Sequence, residues 1–474
     1  MHFVWALILA LRAIRSRLFP VLSRMINTLY LPELREMLAT NNVAELREFC
    51  TALHPARTAE FMEGLTADEA WQVLQHAEEA SRVEIFIYLD PQRQVEICES
   101  QDRESIALLI AKLASDDRVG LLRRVSPGTQ EDLINRVPAT DRRDIQRLSQ
   151  YPEGTAGAMM STDILRLSES LTVREALDEL VRQAEVFETI YYLYIVDGEQ
   201  HLRGVVSARQ LVAAMRRPNT PMRDLMETKL VTVEAHEDQE SVANRVAKLD
   251  LLAIPVVDHE HHMLGIITHD DVIDVVQSAA TEDVQRMGAV TPLQDSYLRT
   301  HWLTMSWKRG VWLCILFFGG VLTAIALQSY GTQLNQWAWL IPFIPLVISS
   351  GGNSGSQSAT LVIAALTRGQ LTRKDWMRVA YRELFVGGLL GLCLGAMSLV
   401  VTQIFPNPPS LVQAMTVPIT LMLVVTAGTL IGSLSPILFH RLGFDPALMS
   451  TPFVAGIVDV LGIMIYMNVA LFLL

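Results

Sequence analysis

Residues 446–474 read PALMSTPFVAGIVDVLGIMIYMNVALFLL, and Asp459 is the only charged residue among them. A helix of this length crosses roughly 30 Å of hydrocarbon. A carboxylate at that depth costs roughly 3 kcal/mol or more unless it faces a bundle interior, an aqueous path or a cation. No Lys or Arg lies in the stretch to neutralise it. The expectation is a site for a positive species that moves.

Working upstream, the charge is unevenly spread. From His301 onward there are eight Lys/Arg and four Asp/Glu, which leaves 31 basic and 47 acidic residues of the totals of 39 and 51 in the part before it. The first 300 residues therefore carry a net charge near −16 and the rest about +4. So acidic a polar portion argues against nucleic acid as a partner and for cations or basic surfaces. The four cysteines (Cys50, Cys98, Cys314, Cys393) show no ligand spacing and read as ordinary buried residues. Residues 1–30 form an uncertain N-terminal extension. Its apolar run before Arg12 is too short to span a membrane and fits a surface helix or an early start codon.

Residues 31–150 have helical periodicity, with Leu34, Met37 and Leu38 on one face and Val83, Ile87 and Tyr88 on another. Leu53-His54-Pro55, Leu89-Asp90-Pro91 and Val125-Ser126-Pro127 recur 36 residues apart, each before an acidic-apolar helix (AEFMEGL, VEICESQ, EDLINRV). Proline starts helices, and this period predicts an all-α superhelical domain.

At Met159 the pattern changes, and it does so twice. The first copy runs MMSTDILRLSESLTVREALDELVRQ, then TIYYLYIVDGEQHLRGVVSARQLVAAM. The second runs LMETKLVTVEAHEDQESVANRVAKL, then LLAIPVVDHEHHMLGIITHDDVIDVV. Asp197 and Gly204 align with Asp258 and Gly265, both 61 residues apart. Each copy predicts a short strand, a capped helix, two strands joined by a polar turn and a second helix; Thr172 and Glu175 form a capping box. The pair resembles tandem CBS domains, here 155–217 and 221–270. Such pairs often bind adenine nucleotides through Thr/Ser-x-x-Asp. Thr268-His269-Asp270-Asp271 keeps that pattern, whereas Ser207-Ala208-Arg209-Gln210 has Gln in place of the carboxylate. ATP at the pair is thus one implied ligand. His259, Glu260, His261 and His262 fall on a turn, where adjacent side chains do not converge on one ion, so they read as a solvated loop.

Five apolar segments follow, at about 310–330, 336–365, 383–405, 411–439 and 447–474. Lys308 and Arg309 precede the first, five Lys/Arg crowd the connection between the second and third, and Arg441 separates the fourth and fifth. The other two connections carry no charge. The positive-inside rule then puts the N-terminal domains in the cytoplasm and the C-terminus outside. In the second segment, Gly351, Gly352 and Gly355 among five serines, with Asn353 and Gln357, read as a helix break lining an aqueous cavity, or alternatively as small-residue helix packing.

The segments GGNSGSQSAT (351–360), DPALMSTPFVAGIVDVLG (445–462) and THDDVIDVVQSAATED (268–283) resemble the MgtE family of magnesium channels, and the order of parts matches over roughly residues 31–474. The resemblance implies a multidomain membrane protein: a superhelical N domain (31–150), the CBS pair, a connecting plug helix (271–300) and a five-helix transmembrane pore domain (301–474). It also implies a homodimer in the bacterial inner membrane. Asp459 corresponds to the pore aspartate that holds hydrated Mg²⁺, with Asn353 beside the path. Mg²⁺ gives up its waters reluctantly, so oxygens around a hydrated ion suit it better than an all-protein cage. Asp445 matches a residue that bridges pore and regulatory helix through a second ion. Asp271, Asp274, Glu282 and Asp283 of the plug match ion-contacting positions. So do Ala247 (by its carbonyl) and Asp250 of the second CBS copy, and Glu84 and Asp116 of the N domain. Gly120 departs from the family pattern, which has a carboxylate there.

The implied function is a Mg²⁺ channel that imports Mg²⁺ and closes when cytoplasmic Mg²⁺ bridges these carboxylates. Competing readings are a gradient-coupled carrier of Co²⁺ or another divalent cation, and a nucleotide-sensing CBS regulator with a membrane anchor. The chain lacks the extra intramembrane carboxylates or histidines of a proton relay, and an anchor needs neither Asp459 nor the Gly/Ser run. It shows no nucleophile–base arrangement, phosphate-cradling loop or catalytic metal spacing, so no enzymatic reading arises.

Overall fold

In the computed structural model, ten short helices open the described residues, and they begin every twelve residues: α1 Leu31–Ala39, α2 Val43–Ala52, α3 Pro55–Met62, α4 Ala67–His76, α5 Glu79–Ile87, α6 Pro91–Ser100, α7 Arg103–Lys112, α8 Ser115–Arg124, α9 Pro127–Arg136 and α10 Ala139–Leu148. The structure describes residues 31–183, 189–293, 297, 300–404, 409–446 and 451–474; the extension 1–30 and residues 447–450 lie outside them. The 36-residue repeat is therefore three helix-plus-turn units, of which only one carries the proline. Each helix packs chiefly on its next-but-one neighbour, which builds a superhelix.

A second device marks the period. Arg82 donates to the carbonyls of Leu74, Gln75 and Ala77; Arg118 to Ile110, Ala111 and Leu113; Arg142 to Ile134, Asn135 and Val137. Gln94, at the same position of the period, donates to Phe86 and Ile87. Each clamp satisfies the orphan carbonyls at the end of the preceding helix. The expected face of α5 is corrected: Ile85 and Phe86 are buried, and Ile87 and Tyr88 are exposed. In helices this short the buried face is set by the neighbours on either side, so three positions of periodicity misplace it. Cys50 and Cys98 are buried here, and burial pushes their thiols up to about 11 and about 12. Cys314 and Cys393, expected to be buried, are exposed on apolar helices.

The CBS pair follows α11 (Ala156–Met159). Its copies hold β1 Arg166–Ser168, α12 Val173–Gln183, β2 Tyr192–Val196, β3 Leu202–Ser207, α13 Ala208–Ala213 and α14 Met222–Leu225, then β4 Val233–Glu234, α15 Gln239–Leu249, β5 Ala253–Val257 and β6 Met263–Thr268. Both sheets have one parallel and one antiparallel pairing, in the orders β1-β2-β3 and β4-β5-β6. The capping box stands, with the Thr172 amide donating to Glu175 at 2.8 Å.

The polar turns meet at the pseudo-twofold axis. His201 and His262 stack with centroids 4.3 Å apart, and each Nδ1 pairs with the aspartate of its own turn, Asp197 at 3.1 Å and Asp258 at 2.9 Å. Backbone bonds cross between the turns, Leu202 to His261 and Met263 to Gln200. The turn expected to be a solvated loop thus includes one histidine that ties the copies together. The second CBS copy shares its hydrophobic core with the N domain. Ser115 of α8 donates its amide to Asp163, and Thr162 donates to Asp144 of α10.

Helix α16 (His269–Met287) leads out of this first unit, which closes at Val276; the second runs Gln277–Leu474. It contains α17 Trp302–Ser329, α18 Gly331–Gln336, α19 Ile344–Thr367, α20 Trp376–Ile404, α21 Leu411–Ala414, α22 Thr416–Arg441 and α23 Thr451–Leu473. Among the described residues four helices are long and apolar enough to cross a membrane: α17, α20, the α21–α22 run and α23. Helix α19, with 24 residues, is comparably long, but it carries the Gly/Ser run and is not among the four.

That run is not a break. Helix α19 is continuous through 351–360, which corrects the expected irregular backbone. Its glycines lie against α22 and α23: a side-chain carbon at Gly428 would meet the Gly351 carbonyl oxygen at 2.6 Å, and one at Gly432 would overlap the Gly355 carbonyl. Small residues let two backbones approach where no hydrophobic effect drives helices together.

Replacing Arg118, 5% exposed, with alanine strips three carbonyls of their donor. The variant is expected to lose about 2–4 kcal/mol of stability, read as a lower urea midpoint for the first unit. Arg57→Ala, at an exposed ion pair, should leave it unchanged.

Candidate functional site

Helix α23 is largely apolar, and Asp459 is its only charged residue. It presents the half-buried Asp459 carboxylate to α19. One oxygen lies 3.3 Å from where a side-chain carbon on Gly352 would be, so only glycine leaves this space open. Among the described residues the Asp459 carboxylate has no hydrogen bond or ion-pair partner. The other carboxylate on a membrane helix contrasts with it: Glu383 of α20 accepts from the Ser358 hydroxyl of α19 at 2.7 Å. Asn353 is exposed and donates to Ser349 of its own helix at 3.2 Å. Asp459 and Asn353 therefore lie on facing helices, with Asn353 outward on a surface of the single chain.

Asp445, on the connection between α22 and α23, is held by Arg286 near the end of α16. The same guanidinium takes Glu282 one turn earlier. Asp283 stands beside them; burial raises its pKa, and Asp445 and Glu282 push it further while Arg286 opposes. Asp445 thus meets this helix through the Arg286 guanidinium. A lone basic residue four positions after a glutamate reads from sequence as a solvated pair, and so Arg286 gave no signal.

In the first unit Asp116, Asp271 and Asp274 line one cavity of about 560 Å³, together with Asp117, Gly120, Arg123, Arg124 and Glu153. A side chain added at Gly120 would meet nothing within 4 Å, so a carboxylate would fit there without strain. Asp117, missed by sequence reasoning, has its pKa raised by desolvation and by Asp270 and Asp274, with Arg124 opposing. Burial, then Asp270, raises Asp274. Asp271 accepts from the Thr268 hydroxyl at 2.6 Å. The amide oxygen of Gln210 accepts from the Ser207 amide at 2.8 Å, a neutral copy of the same cap. The remaining expected positions stand apart: Glu84 is exposed on α5, and Ala247 is exposed on α15, whose left-handed C-cap is Asp250 (φ 52°). Among the described residues no three His, Cys, Asp or Glu side chains form a ready metal site.

A regulatory CBS pair and acidic helical domain, attached to a bundle with an unpartnered carboxylate, define a membrane transport protein for a cation. The family models agree. A "Divalent cation transporter" (MgtE) model matches 344–469, an "MgtE intracellular N domain" model 53–154, and a CBS model 156–217 and 222–278. The magnesium transporter MgtE of Thermus thermophilus is 36% identical over 413 residues, 86% of this chain and 91% of its own. That of Bacillus subtilis is 30% identical over 382 residues, 81% of this chain and 83% of its own. Among solved structures, the cytosolic domain of the Mg²⁺ channel MgtE in complex with ATP is 33% identical and covers 51% of this chain and 98% of its own, at TM-score 0.49. The chain belongs to the MgtE family of magnesium transporters.

The raised carboxylates fix the sign of a pH effect. A carboxylate whose folded pKa is raised adds stability below its unfolded value near 4, and that stability is lost as pH rises through the folded value. Lowering the pH from neutrality towards the carboxylate range is therefore expected to raise the melting temperature of the first unit. A divalent cation at neutral pH should do the same, because it supplies the missing positive charge. Asp117→Asn should shrink the pH effect, as followed by thermal scans.

Proposed function

We propose that the chain is a homodimeric Mg²⁺-gated channel that imports Mg²⁺ across a bacterial inner membrane. The observation that carries this reading is Asp459, unpartnered among the described residues and given room by Gly352. Two copies facing each other across a dimer axis supply charge −2 to a +2 ion that keeps its water shell. In this reading α19 is the fifth membrane helix and lines the path with Asn353. Residues 31–150, 155–217, 221–270, 271–300 and 301–474 are the N domain, the two CBS domains, the plug and the pore, with the N-terminus cytoplasmic and the C-terminus outside.

Gating follows from charge. The first 300 residues carry about −16, and their carboxylates repel until Mg²⁺ neutralises them. Ions at Asp116, Asp271 and Asp274, with Glu84, Ala247 and Asp250 joining across a compact or dimeric state, draw the N domain, CBS pair and plug together. Asp445, Glu282 and Asp283 then fix the plug at the pore. The cavity that gathers three of these carboxylates supports this order. An adenine nucleotide, like the ATP of the solved relative, belongs at the Asp271 end of the CBS pair, because Gln210 offers the ribose no charge.

In proteoliposomes, Asp459→Ala is expected to cut Mg²⁺ uptake by about a hundredfold or more, and uptake equal to the unaltered chain overturns the pore assignment. Calorimetry with ATP is expected to show no more than one site per chain; two equal sites would show that Gln210 substitutes for the carboxylate.

A further inference from the structure

The end of α16 is fastened to the α22–α23 connection and to the start of α23 by direct side-chain contacts. Arg286 donates to Asp445 between α22 and α23, and Glu282, one helical turn earlier, holds the other arm of the guanidinium. Thr451 at the start of α23 donates its hydroxyl to the Met287 carbonyl at 3.2 Å. The Met287 side chain packs against a cluster of Ala359, Ile363, Val454 and Val458, drawn from α19 and α23. A charged pair, a hydrogen bond and an apolar contact thus converge on two consecutive residues.

The charge count gives this contact its meaning. Glu282, Asp283 and Asp445 contribute −3 and Arg286 contributes +1, so the group retains −2. The positive charge is a single guanidinium that reaches Asp445 with one arm and Glu282 with the other. Such a group stays charged at every physiological pH and bridges two carboxylates with a rigid fork. A divalent cation arriving at these carboxylates finds a residual −2 to neutralise and a helix end already in place.

We propose that Arg286 is a positioning residue that keeps the end of α16 docked on α19 and α23 when no divalent cation is bound. Bound cation strengthens this contact and does not create it. The inference rests on the channel reading for its significance, since the docked helix is the proposed plug, but not for its geometry. It implies that the low-Mg²⁺ state frees the N domain and the CBS pair while the last turn of the plug stays at the pore.

Hydrogen exchange on the full chain in lipid nanodiscs tests this. With chelator present, amides around 284–290 of the unaltered chain should be protected. In Arg286→Gln they should exchange about tenfold faster or more, and millimolar Mg²⁺ should restore much of the protection. Arg286→Lys keeps the charge but cannot fork, and should fall between the two. Exchange in the first unit serves as the folding control and should not change. Equal exchange of Arg286→Gln and the unaltered chain in chelator overturns the proposal, as does an unprotected segment in the unaltered chain. Mg²⁺ uptake measured in parallel separates the two readings. Loosening without any uptake leaves the tether and removes the channel. Uptake with no loosening leaves the channel and removes the tether.

Discussion

A carboxylate held in an apolar helix constrains everything around it. Asp459 cannot be buried against another apolar side chain, so α19 must offer it space, and Gly352 does. It has no neutralising partner among the described residues, whereas Glu383 of α20 accepts a hydrogen bond from Ser358 of α19. One carboxylate is thereby structural and the other is left for solvent or an ion. The glycines of α19 follow from the same need: a helix that presents polar groups to its neighbours must be gripped by them. Gly351 and Gly355 let α22 approach its backbone closely enough to do so.

The first unit faces the opposite problem, too many charges in too little volume. Its answer is to distribute them. Arginine clamps direct positive charge to helix ends, with Arg118 also reaching Asp141 at 3.7 Å, while Asp117 and Asp274 are left in proximity with raised pKa values. A domain built this way is responsive by construction, because any small cation lowers its electrostatic energy. The CBS pair gives that response a rigid frame, with paired histidines at its axis.

Much of this was legible in the sequence, for identifiable reasons. Asp459 stood out because a charge in an apolar helix has no ordinary explanation. The superhelix showed through its prolines, and the CBS pair through an offset that two alignable turns repeat. The failures share a cause as well. The glycines of α19 read as a break because sequence displays the missing side chain and not the neighbour that occupies its place. The twelve-residue period hid behind a thirty-six-residue one because only every third unit carries proline. Arg286 carries no signal in the sequence, since its partner Asp445 is 159 residues away. Asp117 was passed over for Asp116 because which of two adjacent carboxylates faces a crowd depends on helix phase.

The clamps of the N domain have a further consequence. Each clamp joins a helix to the one before it, and packing reaches only two or three helices along, so the superhelix is a chain of short-range links. Its far end is stapled to the CBS pair through Ser115 and Asp144, while the end at Leu31 has no such anchor among the described residues. Under mechanical or thermal load such a ribbon peels from the loose edge one helix at a time. The turns nearest the staple, which include Asp116 and Asp117, are the last to let go.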